Sequence, residues 1–175
     1  MSYEAEILER LSDSSRWPNY QRPDFLAELD QIADDALASL SARDCIASVL
    51  IYQQLIEELL RVLLQSLCFL IQASLFPIEI TFSESSGKMF GRLVDDIKAT
   101  VNFPNKNELI TIANRVNERR MQVAHGLTKR ESLNELESVA VSVRDDFEEF
   151  FKLFDKALDW SRVCLHDIKK ILCTD

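Results

Sequence analysis

The chain has 175 residues, of which 47% are hydrophobic, and it contains only 3 glycines and 4 prolines. This length is that of one domain, or of one domain with an extension, and so few helix breakers favour helices throughout. The net charge of −9 excludes a protein that coats nucleic acid indiscriminately. Residues 88–130 nevertheless carry 9 basic and 4 acidic side chains, so this segment can bind an anion locally.

The common signatures of cofactor and metal sites are missing from the sequence. It contains no G-x-G-x-x-G, Walker or H-E-x-x-H motif, so we expect neither a cofactor nor a metal. The four cysteines show no C-x-x-C spacing, which favours reduced thiols in a cytoplasmic protein. The uncharged run 62–76 is too short to span a bilayer, so we expect a core helix and no membrane association.

The first 41 residues are predicted to form an N-terminal helical extension. A short helix over 3–12 is followed by a connector that Pro18 and Pro23 interrupt. Pro23 suits the first turn of a second helix, over 23–41. We expect the outer face of this helix to lie in solvent, because it is acidic. That face consists of Glu28, Asp30, Asp34 and Asp35.

The next elements are a long helix, a break and a short helix. The pattern over 45–76 is amphipathic at first and then apolar nearly all round, which places the helix in the middle of a bundle or in an oligomer interface. The segment 77–87 breaks the helical pattern, and its alternation allows a short extended piece. Residues 88–101 are predicted to form a short helix.

A helix is predicted over 105–126 with both ends marked. Asn105 and Glu108 fit a capping box, and Gly126 suits the residue that closes a helix. On an ideal wheel, Arg120 falls in the apolar stripe, which predicts a carboxylate partner, a bound anion or a gap in the packing. Glu57 or Glu58, halfway along the long helix, is the candidate supporting carboxylate. The rest of the stripe is Leu109, Ala113, Val116, Val123 and Leu127.

The last helix carries an apolar seam with heptad spacing. Ser132 and Glu135 form a second capping-box pattern at its start. The helix would be ~60 Å long at roughly 1.5 Å per residue, so its overhang must be covered by the N-terminal helices or by a second copy of the chain. The seam consists of Leu136, Ala140, Val143, Phe147, Phe150, Phe154, Ala157, Ser161, Cys164, Ile168 and Ile171.

The segment N-E-R-R-M-Q-V-A-H-G, from Asn117 to Gly126, resembles the signature of the HEPN superfamily (higher eukaryotes and prokaryotes nucleotide-binding). The motif of that family is an Arg followed by four to six residues and a His, near the end of a late helix. The order of a long hydrophobic helix with a mid-helix Glu, a short helix, the motif helix and a long last helix is also similar. The resemblance covers roughly residues 42–165 and implies an antiparallel bundle, usually dimeric.

Active members of that family are metal-independent endoribonucleases. The resemblance therefore implies that His125 moves the proton of a ribose 2′-hydroxyl while Arg120 binds the scissile phosphate. Imidazole is well suited to proton transfer near neutral pH, and arginine binds phosphate oxygens bidentately. Arg119, Asn117 and Lys129 are the candidate substrate-binding residues beside them.

The register of the motif arginine stays open. Arg120 leaves four residues before His125, and Arg119 leaves five. The family commonly has Asn, Asp or His directly after the motif Arg, whereas Met121 follows Arg120 here. On an ideal helix Arg120 and His125 point about 140° apart. They converge only through the length of Arg, a distorted last turn or a dimer partner.

We therefore expect an all-α, up-and-down antiparallel helical bundle of four to five core helices over 42–175, with the extension at 1–41, assembled as a homodimer. The first functional hypothesis is a HEPN-like RNA-cleaving or RNA-binding toxin or defence protein. The alternative is a non-catalytic helical interaction or regulatory module, of the antitoxin-partner or transcription-regulator type, that binds another protein. A third hypothesis is a small anionic ligand at Arg119, Arg120 and Lys129.

Overall fold

The structure is a computed structural model that describes residues 2–39, 41–85, 87–126 and 135–173. In these residues it contains six α-helices, a short 3-10 helix at Ser14–Arg16 and no strand, which confirms the all-α fold class. None of the described helices is long and apolar enough to cross a membrane. The helices are α1 (Tyr3–Ser12), α2 (Pro23–Ala38), α3 (Ala42–Ser74), α4 (Phe90–Ala99), α5 (Lys106–Gly126) and α6 (Glu135–Leu172).

Helix α3 lies at the centre of the bundle. Its N-terminus is capped by Ser41, whose hydroxyl accepts a hydrogen bond from the Asp44 amide at 3.2 Å. Most side chains in its second half are buried, and the helix packs against α2, α4, α5 and α6. The central position predicted from the apolar run 62–76 is therefore correct.

Helices α3 and α6 run parallel to each other. The rings of Tyr52 and Phe147 lie 4.9 Å apart. About 20 Å further along both helices, at 1.5 Å per residue, Ser66 and Ser161 share a buried 2.7 Å hydrogen bond. Helices α2 and α3 run antiparallel across a short link, where the Tyr52 hydroxyl donates to Asp34 at 2.7 Å. A residue of α3 thus lies level with the α6 residue 95 positions later.

The segment after Pro77 runs back along α3 without forming a strand in its described residues. Gln72 donates to the Ile80 carbonyl at 3.0 Å, and Gln65 donates to the Ser85 hydroxyl at 3.0 Å. The predicted break in the helix is present, but α3 side chains rather than a second strand satisfy these polar groups. This return allows α3 and α6 to be parallel.

Helix α6 buries its predicted seam from Leu136 to Ser161. Its far end is covered by α1, because Ile7 and Leu11 pack with Leu165 in a separate apolar cluster. The N-terminal helix is therefore one cover for the overhang, and Ile171 at the end of the seam remains 74% exposed.

The junction between α4 and α5 is fixed by a lysine rather than by the predicted capping box. Asn105 adopts a left-handed φ of 61°, and its side chain makes no capping hydrogen bond to the described part of the chain. Lys106, 8% exposed, instead donates from Nζ to the carbonyls of Lys98, Thr100 and Val101 at 2.9–3.1 Å. It satisfies carbonyls at the C-terminal end of α4. The second predicted capping box, at Ser132, lies outside the described residues.

Candidate functional site at the end of helix α5

In the described residues, the apolar stripe of α5 is buried as the wheel predicts, except at Arg120; its last predicted member, Leu127, lies outside these residues. Leu109, Ala113, Val116 and Val123 are fully buried, whereas Arg120 is only partly buried. Its Nη1 atom lies 3.1 Å from the Met121 thioether sulfur, and it forms no ion pair with any described carboxylate. Arg120 therefore reaches the surface with its charge available.

Two other arginines of α5 bind a buried carboxylate of α6. Arg115 donates from Nε to Asp146 at 2.8 Å, and its Nη2 contacts the same oxygen. Arg119 donates from Nη1 to the other Asp146 oxygen and to the Ser142 carbonyl, the latter at 2.9 Å. The Asp146 side chain is only 8% exposed, and the arginines are 41% and 27% exposed. Both carboxylate oxygens are thus used by α5.

This cluster fixes how α5 and α6 face each other. Arg115 and Arg119 are four residues apart and lie on one face of α5, while their partners Asp146 and Ser142 are four residues apart on α6 in reverse order, so the helices are antiparallel. The hydrogen bond with Asp146 is the main reason that the pKa of Arg115 is raised. Charged hydrogen bonds to a poorly solvated carboxylate are stronger than those between exposed groups.

The supporting carboxylates predicted for Arg120 are engaged elsewhere. Glu57 and Glu58 both pair with Arg61 of their own helix, at 2.5 Å and 3.0 Å. The helix registers give the reason. Arg119 contacts Ser142 of α6, and each α3 residue lies level with the α6 residue 95 positions later, so Arg120 lies level with the part of α3 near Ile46. Eleven residues separate Ile46 from Glu57, roughly 16 Å along the axis at 1.5 Å per residue, which is beyond the reach of an arginine. The predicted pairing of either glutamate with Arg120 is therefore replaced by the Arg61 pairs.

His125 occupies the last turn of α5 and is exposed. No hydrogen bond or ion pair within the described part of the chain involves its imidazole, and none joins it to Arg120. Asn117 is partly buried on the same helix, and Lys129 lies outside the described residues. The end of α5 thus combines an exposed imidazole with a guanidinium that carries no carboxylate.

Sequence reasoning missed Asp146 and Arg115. The available signal was the pair Arg115 and Arg119 at helical spacing, together with an acid directly before the seam residue Phe147. The ideal wheel drew attention to Arg120 because it treats α5 alone. It carries no information on which neighbouring helix supplies a carboxylate.

The described residues contain no group of three or more His, Cys, Asp and Glu side chains that could hold a metal ion. Comparisons with protein-family models, with curated proteins and with solved structures find no match to this chain. Any function must therefore be inferred from the chemistry of the residues themselves.

Proposed function

We propose that this protein is a HEPN-like, metal-independent endoribonuclease of toxin or defence type that acts in the cytoplasm as a homodimer. The observation that carries the proposal lies at the end of α5. There His125 is exposed and Arg120 keeps its charge free of carboxylates in the described structure, while Arg119 and Arg115, one and five residues earlier, both pair with Asp146.

The Asp146 cluster favours Arg120 over Arg119 as the motif arginine. A guanidinium whose charge is already paired with a buried carboxylate gains less from a phosphate than an unpaired one, and its side chain is held in place by that pair. Arg119 is in this position, and Arg120 is not. Arg119 then serves to position the end of α5 against α6, and Asn117 and Lys129 remain candidates for binding the RNA backbone.

The proposed reaction needs two proton transfers and one site for negative charge. The imidazole of His125 accepts the proton of the ribose 2′-hydroxyl as its oxygen bonds to phosphorus, and the bond from phosphorus to the 5′-oxygen breaks. The 5′-oxygen takes a proton from water, and the imidazolium of His125 returns its proton to the solvent. Arg120 binds the phosphoryl oxygens, on which charge builds up in the transition state. The products are a 2′,3′-cyclic phosphate and a 5′-hydroxyl.

A dimer provides the geometry that one helix lacks. Arg120 and His125 leave an ideal helix about 140° apart, so one subunit presents them on different sides. Two α5 ends that meet across a two-fold axis bring the His125 of one subunit toward the Arg120 of the other. The proposal therefore includes a homodimer whose site is shared between subunits.

The test is incubation of the purified protein with end-labelled single-stranded RNA in the presence of EDTA. We expect cleavage that leaves a 2′,3′-cyclic phosphate, and we expect no cleavage of an oligonucleotide with 2′-deoxyribose at every position. His125→Ala and Arg120→Ala should each reduce the rate at least about 100-fold, because general acid–base catalysis and charge stabilisation typically contribute that much.

The matched control is His166→Ala, since His166 is the other histidine of the chain and is also exposed on a helix. It should keep the parental rate. Intact RNA at high protein concentration, or equal activity of His125→Ala and His166→Ala, would show that the motif does not catalyse cleavage. Mixing His125→Ala with Arg120→Ala should restore part of the activity if the site is shared between subunits.

A second candidate function follows from the Asp146 cluster itself. Two of the basic residues near the motif have a structural task, which supports a non-catalytic helical interaction or regulatory module that binds an antitoxin-like partner. If this candidate is correct, the protein should co-purify with a partner, and the His125→Ala variant should bind that partner as well as the parent does. The RNA assay separates the two candidates directly.

A further inference from the structure

A mainly apolar cavity of about 430 Å³ opens between α2, α3 and α6, away from α5. Its volume falls in the range typical of small-molecule sites. The connector before α2 contributes an aromatic wall, α3 contributes leucines, and α6 contributes aromatic and charged side chains. The apolar lining consists of Tyr20, Pro23, Leu26, Ala27, Leu55, Leu59, Phe147 and Phe151.

Aromatic rings form one side of this cavity and are held in place by each other. The rings of Phe147 and Phe151 lie 6.2 Å apart, and Tyr20 packs on Phe154 at 5.7 Å. Phe151 remains 42% exposed. An aromatic wall with open access offers both apolar contact and the negative ring faces that attract organic cations.

The charges that line the cavity add up to −1. Asp30 from α2 and Glu148 from α6 contribute two carboxylates, and Lys152 contributes one ammonium group. None of these three groups forms an ion pair within the described part of the chain. Burial and the neighbouring carboxylates of Asp34 and Glu148 raise the pKa of Asp30. The negative charge of Asp30 is therefore poorly compensated by the protein.

We infer that this cavity binds a small hydrophobic monocation, a primary alkylammonium or arylalkylammonium ion. The ammonium group lies between Asp30 and Glu148 and neutralises the net charge of the lining, and the apolar body fills the space against Leu26, Phe147 and Phe151. A neutral molecule of the same shape gains only the apolar contacts, and an anion is repelled. The site is independent of the α5 residues proposed to act on RNA.

The test is isothermal titration calorimetry of the full chain with butylammonium, pentylammonium and hexylammonium chloride. Each added methylene should tighten binding about fourfold, as expected for apolar surface that leaves water. Hexylammonium should bind with a Kd on the order of 1 mM or below. Hexan-1-ol should bind at least about tenfold more weakly, and hexanoate should not bind.

Four variants link binding to the cavity. Asp30→Asn should weaken hexylammonium at least about tenfold, whereas Lys152→Gln should tighten it. Glu28→Gln is the matched control, since it removes the same charge from an exposed position of α2 outside the cavity lining, and it should leave the Kd unchanged. Ala27→Trp should block the cavity with little cost to folding, because Ala27 lines it from an exposed position.

Three results would overturn the inference. They are equal affinity for hexan-1-ol and hexylammonium, equal effects of Asp30→Asn and Glu28→Gln, and full binding by a folded Ala27→Trp variant. Far-ultraviolet circular dichroism of each variant separates lost binding from lost structure.

Discussion

Replacing Asp146 with Asn should lower the free energy of unfolding far more than replacing an exposed aspartate would. Asp146 is 8% exposed and accepts hydrogen bonds on both oxygens from Arg115 and Arg119. Asn keeps the shape and one acceptor, but it presents an N–H₂ group to the second guanidinium. At least one charged hydrogen bond is lost, Arg119 loses its counter-charge, and Arg115 keeps only the more distant Glu149 at 3.6 Å.

The expected loss is about 2–3 kcal/mol of unfolding free energy. A hydrogen bond to a charged group contributes roughly 1.5–3 kcal/mol, and breaking a fully buried pair costs about 3–5 kcal/mol. The lower part of this span applies because Arg115 and Arg119 are 41% and 27% exposed and recover water. For a chain of this length, the loss corresponds to a decrease in Tm of about 4–12 °C.

Urea unfolding followed by circular dichroism measures the loss, and Asp145→Asn is the neighbouring control. Asp145 is 61% exposed and, within the described residues, pairs only with Arg144 at 3.0 Å, so its replacement should change stability by less than about 0.5 kcal/mol. A double-mutant cycle of Asp146→Asn with Arg119→Met should give a coupling of at least about 1 kcal/mol. Equal losses for the Asp145 and Asp146 variants would refute the argument that this cluster fixes the helix register.

The remaining predictions concern stability away from the Asp146 cluster. Asp44 accepts hydrogen bonds from Ser39, Ser41 and Arg43, which lower its pKa to about 2. The ionised Asp44 therefore stabilises the fold above pH 3.8 and loses this effect as the pH falls toward 2. Asp44→Asn should be destabilising in urea unfolding at pH 6, and its difference from the parent should shrink at pH 3. Lys106→Met should lower the urea-derived stability by about 1–3 kcal/mol, because it removes the donor to three carbonyls. Lys98→Met, which removes an exposed lysine, should have little effect.

The helices could be predicted from sequence because each carries its own periodic signal. The seam of α6 is buried from Leu136 to Ser161 as expected, and the apolar half of α3 lies at the bundle centre. These features depend on residues within one helix, where spacing alone determines which side chains share a face.

The contacts of the candidate site could not be predicted, because they depend on the register between helices. The sequence leaves a carboxylate partner, a bound anion or a packing gap open for Arg120, with Glu57 or Glu58 as the candidate carboxylate, but those two residues lie roughly 16 Å from its level and bind Arg61. Arg119, one residue away, binds Asp146 instead. The acidic face of α2 was expected to be solvated throughout, whereas Asp34 accepts from a buried tyrosine and Asp30 lines a cavity. For Arg119, Asp34 and Asp30 the neighbouring groups lie on another helix, and a one-helix pattern carries no information about them.

The small cluster in which α1 covers the end of α6 joins Ile7 and Leu11 to Leu165, about 150 positions later in the chain. Contacts between residues so far apart in sequence close a very long loop, so this cluster should form after the contacts between α5 and α6. Because the cluster is separate from the main core, it should also open on its own. We expect amide protons of α1 to exchange with solvent at a lower opening free energy than those of α3.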